Sequence, residues 1–224
     1  MRNPSQQEVL DSIEKGVRKA QTDYKKASES LLCWGPEYLI TTNIFQSLLG
    51  LPGIDNCLCL EEKAREVEEY CRNRRPGRKP TVVDGRSRCD LVLWHVNKDE
   101  PRAVIEVKRW AKDCSNDLKR LTRLVGQELE FSVAASCLFG KVQNSEKDAE
   151  DKLREDVNNL LRRMEQEIRE SDLGVRLAPK LPRINGVRIH VYGETSSEED
   201  WVWCPVCFVI YHKRTSGKSS ICEE

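Results

Sequence analysis

The chain lacks any apolar run long enough to cross a membrane as a helix. Its longest uncharged one, Trp201 to Tyr211, covers 11 residues, about half of the roughly 20 that a span needs. The apolar h-region of a secretory signal is also missing from Met1 to Glu8, so a cytoplasmic location is expected. Net charge is absent: 37 Lys+Arg stand against 37 Asp+Glu. That balance sets aside a wholesale polybasic protein of the histone or ribosomal-tail kind. There is no internal repeat and no low-complexity tract. An apolar content of 38% with five Trp sets aside full disorder. A disulfide framework belongs to short secreted domains, so the ten cysteines read as reduced thiols. What remains is one domain of 224 residues with trimmings, long enough to bury a proper core.

The zero net charge conceals a segregation. From Arg72 to Arg123 there are 15 basic and 7 acidic residues, so this segment is +8 and the remainder −8. A neutral protein with a basic middle can present an anion-binding face and stay soluble. Alone, such a segregation is no more than a solvated surface.

The first element is a long helix. Ser5-Gln6-Gln7-Glu8 has the form of a capping box. Leu10, Ile13, Val17, Ala20, Tyr24, Ala27 and Leu31 then form one stripe with Gly16 inside it. That stripe suits either packing along a partner helix in a homodimer or capping the domain's own core. Trp34-Gly35-Pro36 breaks the helix, and Pro36 is placed as the first residue of a second one, which Gly50 and Pro52 end. Leu60 to Arg72 reads as a third, charged helix.

The period then changes from helical to strand. Arg74 to Pro80 is a basic, turn-rich loop. Thr81 to Val83, Cys89 to Val96 and Ala103 to Lys108 are β-rich, and the turn composition of Asn97 to Pro101 joins the last two as an antiparallel hairpin. A helix from about Asn116 to Glu130 follows, with Leu118, Leu121, Leu124 and Val125 inward. Next come a strand over Phe131 to Val142, an amphipathic helix over about Ser145 to Glu170, and strands over Arg188 to Tyr192 and Trp201 to His212. This order predicts an α/β fold with a mixed central sheet flanked by helices. The expected boundaries are a helical extension over 1–35, an α/β domain over 36–212 and a polar tail over 213–224.

Charge interrupts the hairpin. Residues two apart on a strand share a face, so Glu106 and Lys108 project together with Val104, while Ala103, Ile105 and Val107 pack on the other side. A strand covered on both faces should be apolar throughout. A carboxylate and an ammonium in its middle are costly unless they face a pocket, a metal or each other. Asp90 poses the same problem at the start of the partner strand, ahead of Leu91-Val92-Leu93-Trp94.

In this arrangement the segment from about Pro36 to Val142 resembles the PD-(D/E)XK nuclease superfamily, the restriction-endonuclease-like fold. Asp90 corresponds to the motif aspartate and Glu106-Val107-Lys108 to the Glu-x-Lys element. Cys89 stands where the family's prolyl would be. The resemblance implies an αβββαβ core and a Mg²⁺-dependent deoxyribonuclease, with Mn²⁺ able to substitute, of restriction, repair or mobile-element type. The chemistry is coherent in its own right. Asp90 and Glu106 offer hard oxygen ligands for the metal. Lys108 could orient or deprotonate the attacking water, or stabilise the developing charge. Several such enzymes also use a Glu from the core's N-terminal helix, which makes Glu37 the candidate here; a first-turn Glu also simply complements the helix dipole. Gln127 resembles a Gln that some exonuclease-like branches keep near the metal, although the Tyr that follows in those branches is absent.

The basic middle then acquires a use. Arg74, Arg75, Arg78 and Lys79 precede the first core strand, Arg86 and Arg88 lead into Asp90, and Arg109 and Lys112 follow Lys108. With Lys119, Arg120 and Arg123 on the next helix, they are candidates to grip DNA phosphates. The alternative from another class is a non-catalytic nucleic-acid-binding or assembly module on the same fold. A third reading, a zinc-stabilised regulatory protein, rests on Cys204, Cys207, His212 and Cys222. Zinc is not expected there, because the set matches no common finger and lies in an apolar run that reads as a strand. His95 and His190 lie in strands and read as packed.

Overall fold

The computed structural model describes residues 2–54, 57–72, 87–96, 100–110, 117, 120–121, 124, 129–141, 148–149, 151–156, 158–160, 162–163, 166, 196–198 and 201–211. Helix α1 (Gln6–Ser28) starts on the expected capping box. Ser5 Oγ accepts from the Glu8 amide at 3.2 Å, and the Glu8 carboxylate accepts from the Ser5 amide at 2.6 Å. Glu29 ends it in the left-handed region with φ 56°. A 3-10 turn (Leu32–Trp34) leads into α2 (Glu37–Leu49), where Pro36 is the N-cap, so Glu37 opens the helix. The two helices meet at their backbones. A Cβ on Gly16 would lie 2.5 Å from Ile44 Cα and 2.7 Å from Ile44 N. The glycine that weakens α1 as a helix is what lets α2 come this close.

Among the described residues six strands make one mixed sheet: β1 (Leu58–Lys63), β2 (Arg88–Trp94), β3 (Pro101–Trp110), β4 (Phe131–Lys141), β5 (Ser196–Glu198) and β6 (Trp201–Tyr211). Their order across the sheet is β1-β2-β3-β4-β6-β5. The first three form an antiparallel meander, β4 runs parallel to β3, and β6 pairs antiparallel with β4 along its whole length. A parallel step needs a crossover. Asp117, Arg120, Leu121 and Leu124, all helical, lie on that crossover.

Helices cover both faces. On one side α1 and α2 pack Leu10, Ile13, Val17 and Ile44 against Leu91, Ile105, Val107 and Val133. On the other, Ala64 and Val67 of α3 (Ala64–Arg72), with Leu121, Leu124 and Leu160, pack on Val92, Val104, Ala134 and Phe208. The alternation expected for β3 is thus observed, with Ala103, Ile105 and Val107 on one face and Val104 on the other. The α1 stripe from Leu10 to Ala20 is buried inside the chain and shares the core with the sheet.

The reading of Leu60 to Arg72 as one helix requires correction. Residues 58–63 are strand β1, in register with β2 from Leu58↔Leu93 to Lys63↔Arg88, and only Ala64–Arg72 is helical. Glu61, Glu62 and Lys63 look helical in composition, but β1 is one edge of the sheet among the described residues, where charges commonly guard unpaired backbone. Thr81 to Val83 and Arg188 to Tyr192, expected as strands, lie outside the described residues. So does the polar tail. Among the described residues no helix is long and apolar enough to cross a membrane.

Candidate active site

At Glu106 strand β3 has lost β2 as a ladder partner but still pairs with Ala134 of β4. Pairing of β2 with β3 stops at Leu91↔Ile105. One step beyond, Asp90 Oδ2 accepts the Val107 amide at 2.7 Å, so a side chain takes a bond that the ladder no longer supplies. On the other side of β3 the register with β4 shifts between Val107 and Trp110. Such irregularities re-aim side chains, and Lys108 and Arg109 fall within this one.

Glu37, Asp90, Glu106 and Lys108 gather here. Glu37 Oε2 accepts from the Arg109 amide at 2.9 Å, and its Oε1 lies 3.6 Å from Lys108 Nζ. The first carboxylate of α2 is therefore tied to β3, although its side chain remains 42% exposed. Lys108 Nζ also lies 3.4 Å from Asp117 Oδ2. Arg120 Nη2 lies 3.2 Å from Asp117 Oδ1 and 2.5 Å from Glu106 Oε1. The result is a continuous row: Glu37, Lys108, Asp117, Arg120, Glu106.

Glu106 is the most buried member, at 1% exposure. Arg120 is close but not aligned as a hydrogen bond to Oε1, so the carboxyl has a charge beside it and no directed donor at that atom. Burial, and then the like charge of Asp90, push its pKa up to about 9 against the pull of Arg120. Burial also raises the Asp90 carboxyl, opposed by the Val107 amide and Lys108. For Lys108 burial acts downward, but Asp117, Asp90, Glu37 and Glu106 outweigh it and raise the ammonium pKa. Lys108 is thus a firm cation here, suited to holding negative charge and not to accepting a proton. Cys89, in the prolyl position, is buried with its thiol pushed far up, which makes it inert.

Three further contributors were not among the expected catalytic residues. Asp117 continues the inward stripe of Leu121 and Leu124 one turn back, and an acid on an apolar stripe is a signal that could have been read. Arg120, expected to reach for phosphate, turns inward to Glu106, with Nη1 on the Arg88 carbonyl at 3.1 Å. Glu61, in line with Asp90 between Leu60↔Leu91 and Glu62↔Cys89, has φ 56°, a left-handed conformation that is strained for a glutamate in a strand. No sequence pattern marks it.

The expected phosphate contacts divide. Arg88 is exposed, with Nη1 on the Glu61 carbonyl at 2.7 Å, and Arg109 Nη1 reaches the Gly35 carbonyl at 3.4 Å. Arg102, also in the basic middle, is buried against Glu130 at 2.6 Å and serves the core. Arg74, Arg75, Arg78, Lys79, Arg86, Lys112, Lys119, Arg123 and Gln127 lie outside the described residues. Cys204 and Cys207 fall on opposite faces of β6, in different core clusters, so this Cys-x₂-Cys pair does not converge on one ion. His212 and Cys222 lie outside the described residues. His95 is packed, its Nδ1 3.2 Å from Asn3 Nδ2. Among the described residues no three His, Cys, Asp or Glu side chains close on a single point as a ready metal cage.

Comparison with protein-family models, curated proteins and solved structures finds no match to this chain, so the candidate site stands on its own geometry.

Proposed function

We propose that this chain is a divalent-metal-dependent nuclease of the PD-(D/E)XK kind, hydrolysing phosphodiester bonds in DNA. The observation that carries the reading is the gathering of Glu37, Asp90, Glu106 and Lys108, from three separate elements, where β3 runs past the end of its pairing with β2 and then shifts register against β4. Three antiparallel strands followed by a parallel β4 support it: the order α2-β1-α3-β2-β3-crossover-β4 is compatible with the family's core order if α3 counts as an insertion between β1 and β2.

The donor set fits a hard divalent cation. Four carboxyl groups (Glu37, Asp90, Glu106, Asp117) face two cationic side chains (Lys108, Arg120), and Glu106 lacks a directed donor at Oε1. Magnesium commonly takes one or two carboxylates and completes its shell with water and phosphate, so no closed cage is required. Asp90 and Glu106 would hold the ion, which when bound supplies positive charge to the phosphate and a water acidified toward neutral pH. Lys108 places a fixed ammonium where the pentavalent phosphate gathers charge. Glu37 positions it, by holding Lys108 Nζ and the Arg109 amide with its two oxygens.

The closed Glu106–Arg120 pair favours a second reading, a non-catalytic DNA-binding or assembly module in which the row is a buried ion network. Incubation of supercoiled plasmid with Mg²⁺ or Mn²⁺ separates the two. Wild type should nick it, and Asp90→Ala and Lys108→Ala should each lose about 100-fold or more. No nicking by wild type, or equal nicking by the variants, would leave only the second reading.

A further inference from the structure

Two aromatic side chains that flank Glu37 in the sequence stand in solvent. Trp34 is 70% exposed and Tyr38 71%. The other four tryptophans (Trp94, Trp110, Trp201 and Trp203) are all buried or part-buried, which makes the exposure of Trp34 a departure within this chain. A ring of this size leaves a large hydrophobic gain unused when it faces water.

The backbone beneath Trp34 is held by packing and hydrogen bonds. Leu32 and Cys33 are buried, and the Leu32 amide donates at 2.8 Å to Oε1 of Gln21, itself fully buried. The Trp34 amide donates to the Leu31 carbonyl at 3.0 Å and the Gly35 amide to the Leu32 carbonyl at 2.8 Å. A Cβ on Gly35 would sit 3.2 Å from the Tyr24 ring, so the turn is packed from below as well. A backbone held in this way with an outward ring is a preorganised contact surface. Cationic groups adjoin it. Arg109 Nη1 meets the Gly35 carbonyl at 3.4 Å, and Lys108 Nζ lies 3.6 Å from Glu37.

We propose that Trp34 and Tyr38 form a stacking platform for an unpaired nucleobase of a DNA strand held at the candidate active site. This rests on the nuclease reading, and it names the substrate class: single-stranded, flapped or locally opened DNA. Aromatic rings beside a basic groove bind single strands because every base offers a π-face. In a duplex those faces are covered by neighbouring bases, so the platform has nothing to stack on until a base is unpaired.

The test is binding in EDTA, which separates it from cleavage. A fluorescently labelled 20-nucleotide oligo-dT and a duplex of equal length are titrated with wild type, Trp34→Ala, Tyr38→Ala and Trp34→Phe, each checked for an unchanged thermal transition. Each alanine variant should weaken oligo-dT binding roughly 5- to 150-fold, with Trp34→Phe recovering most of the loss. Duplex affinity should move less than twofold. Oligo-dT affinity unchanged in both alanine variants, equal losses on the duplex, or no oligo-dT binding by wild type would each overturn the platform. Loss of self-association in the alanine variants with DNA binding intact would also overturn it, assigning the rings to a protein contact. A chain that nicks plasmid but fails this test remains a nuclease without the platform. A chain that passes it and never nicks keeps the platform and loses the nuclease reading.

Discussion

Glu106 is 1% exposed on a strand whose neighbouring core positions are Ala103, Val104, Ile105 and Val107, and its carboxyl pKa is pushed to about 9 from an ordinary 4.5. Between those values the folded chain holds a proton that the unfolded chain releases. The stability this contributes is complete below about pH 4.5 and is lost as pH rises through about 9. The slope is at most about 1.4 kcal/mol per pH unit. Glu106→Gln carries the neutral form at every pH. Without metal it should therefore resist urea better than wild type at pH 8 to 9, and show little advantage near pH 5. Equal unfolding curves at both pH values would contradict the burial argument. The same side chain was legible in the sequence, because a charge between Ile105 and Val107 breaks an apolar run. Its partner Arg120 was not, since an arginine on an amphipathic helix reads as solvated until the sheet beneath it is known to hold a carboxylate.

Among the elements, α1 and α2 illustrate how a local rule is reversed by packing. By propensity alone Gly16→Ala should stabilise α1 by about 1 kcal/mol. The new methyl would meet Ile44 Cα at 2.5 Å, and backbone cannot rotate aside as a side chain can. Gly16→Ala is expected to destabilise the fold by about 1–3 kcal/mol, seen as a lower urea midpoint, with the α2 end bearing Glu37 displaced. A midpoint at or above wild type would show that the helices can part at no cost. The capping box, the helix breaks and the β2–β3 hairpin were legible because each is written in neighbouring residues. Strand β1 was not. Its Glu61-Glu62-Lys63 end has helical composition, and only pairing of Leu58 to Lys63 with β2 makes it a strand.

For the whole molecule, the segregation of +8 in the middle from −8 elsewhere concerns how DNA would be gathered. If this segment neutralises four or more phosphates, log K for DNA should fall against log[salt] with a slope near −3.6 or steeper, about −0.9 per phosphate. Anisotropy titrations of a DNA duplex between 50 and 200 mM salt would measure it, and a flat slope would remove the basic middle as a phosphate-tracking surface. The whole fold also assigns the basic residues differently from one another. Arg102 is used on Glu130 and Arg120 on Glu106, whereas Arg88 and Arg109 stay at the surface or near it.

The sequence by itself determined the α/β class, the hairpin, the two faces of β3, and the three charges that interrupt apolar strands. All of these follow from the period of hydrophobicity, which is a property of neighbours along the chain. Only the tertiary structure decided that Glu37 crosses from α2 to β3, that Asp117 and Arg120 complete the row, that Cys204 and Cys207 face apart, and that Trp34 and Tyr38 are left in solvent. Those depend on which segments lie side by side. A charge or an aromatic ring looks the same in the sequence whether it meets a partner, a ligand or water.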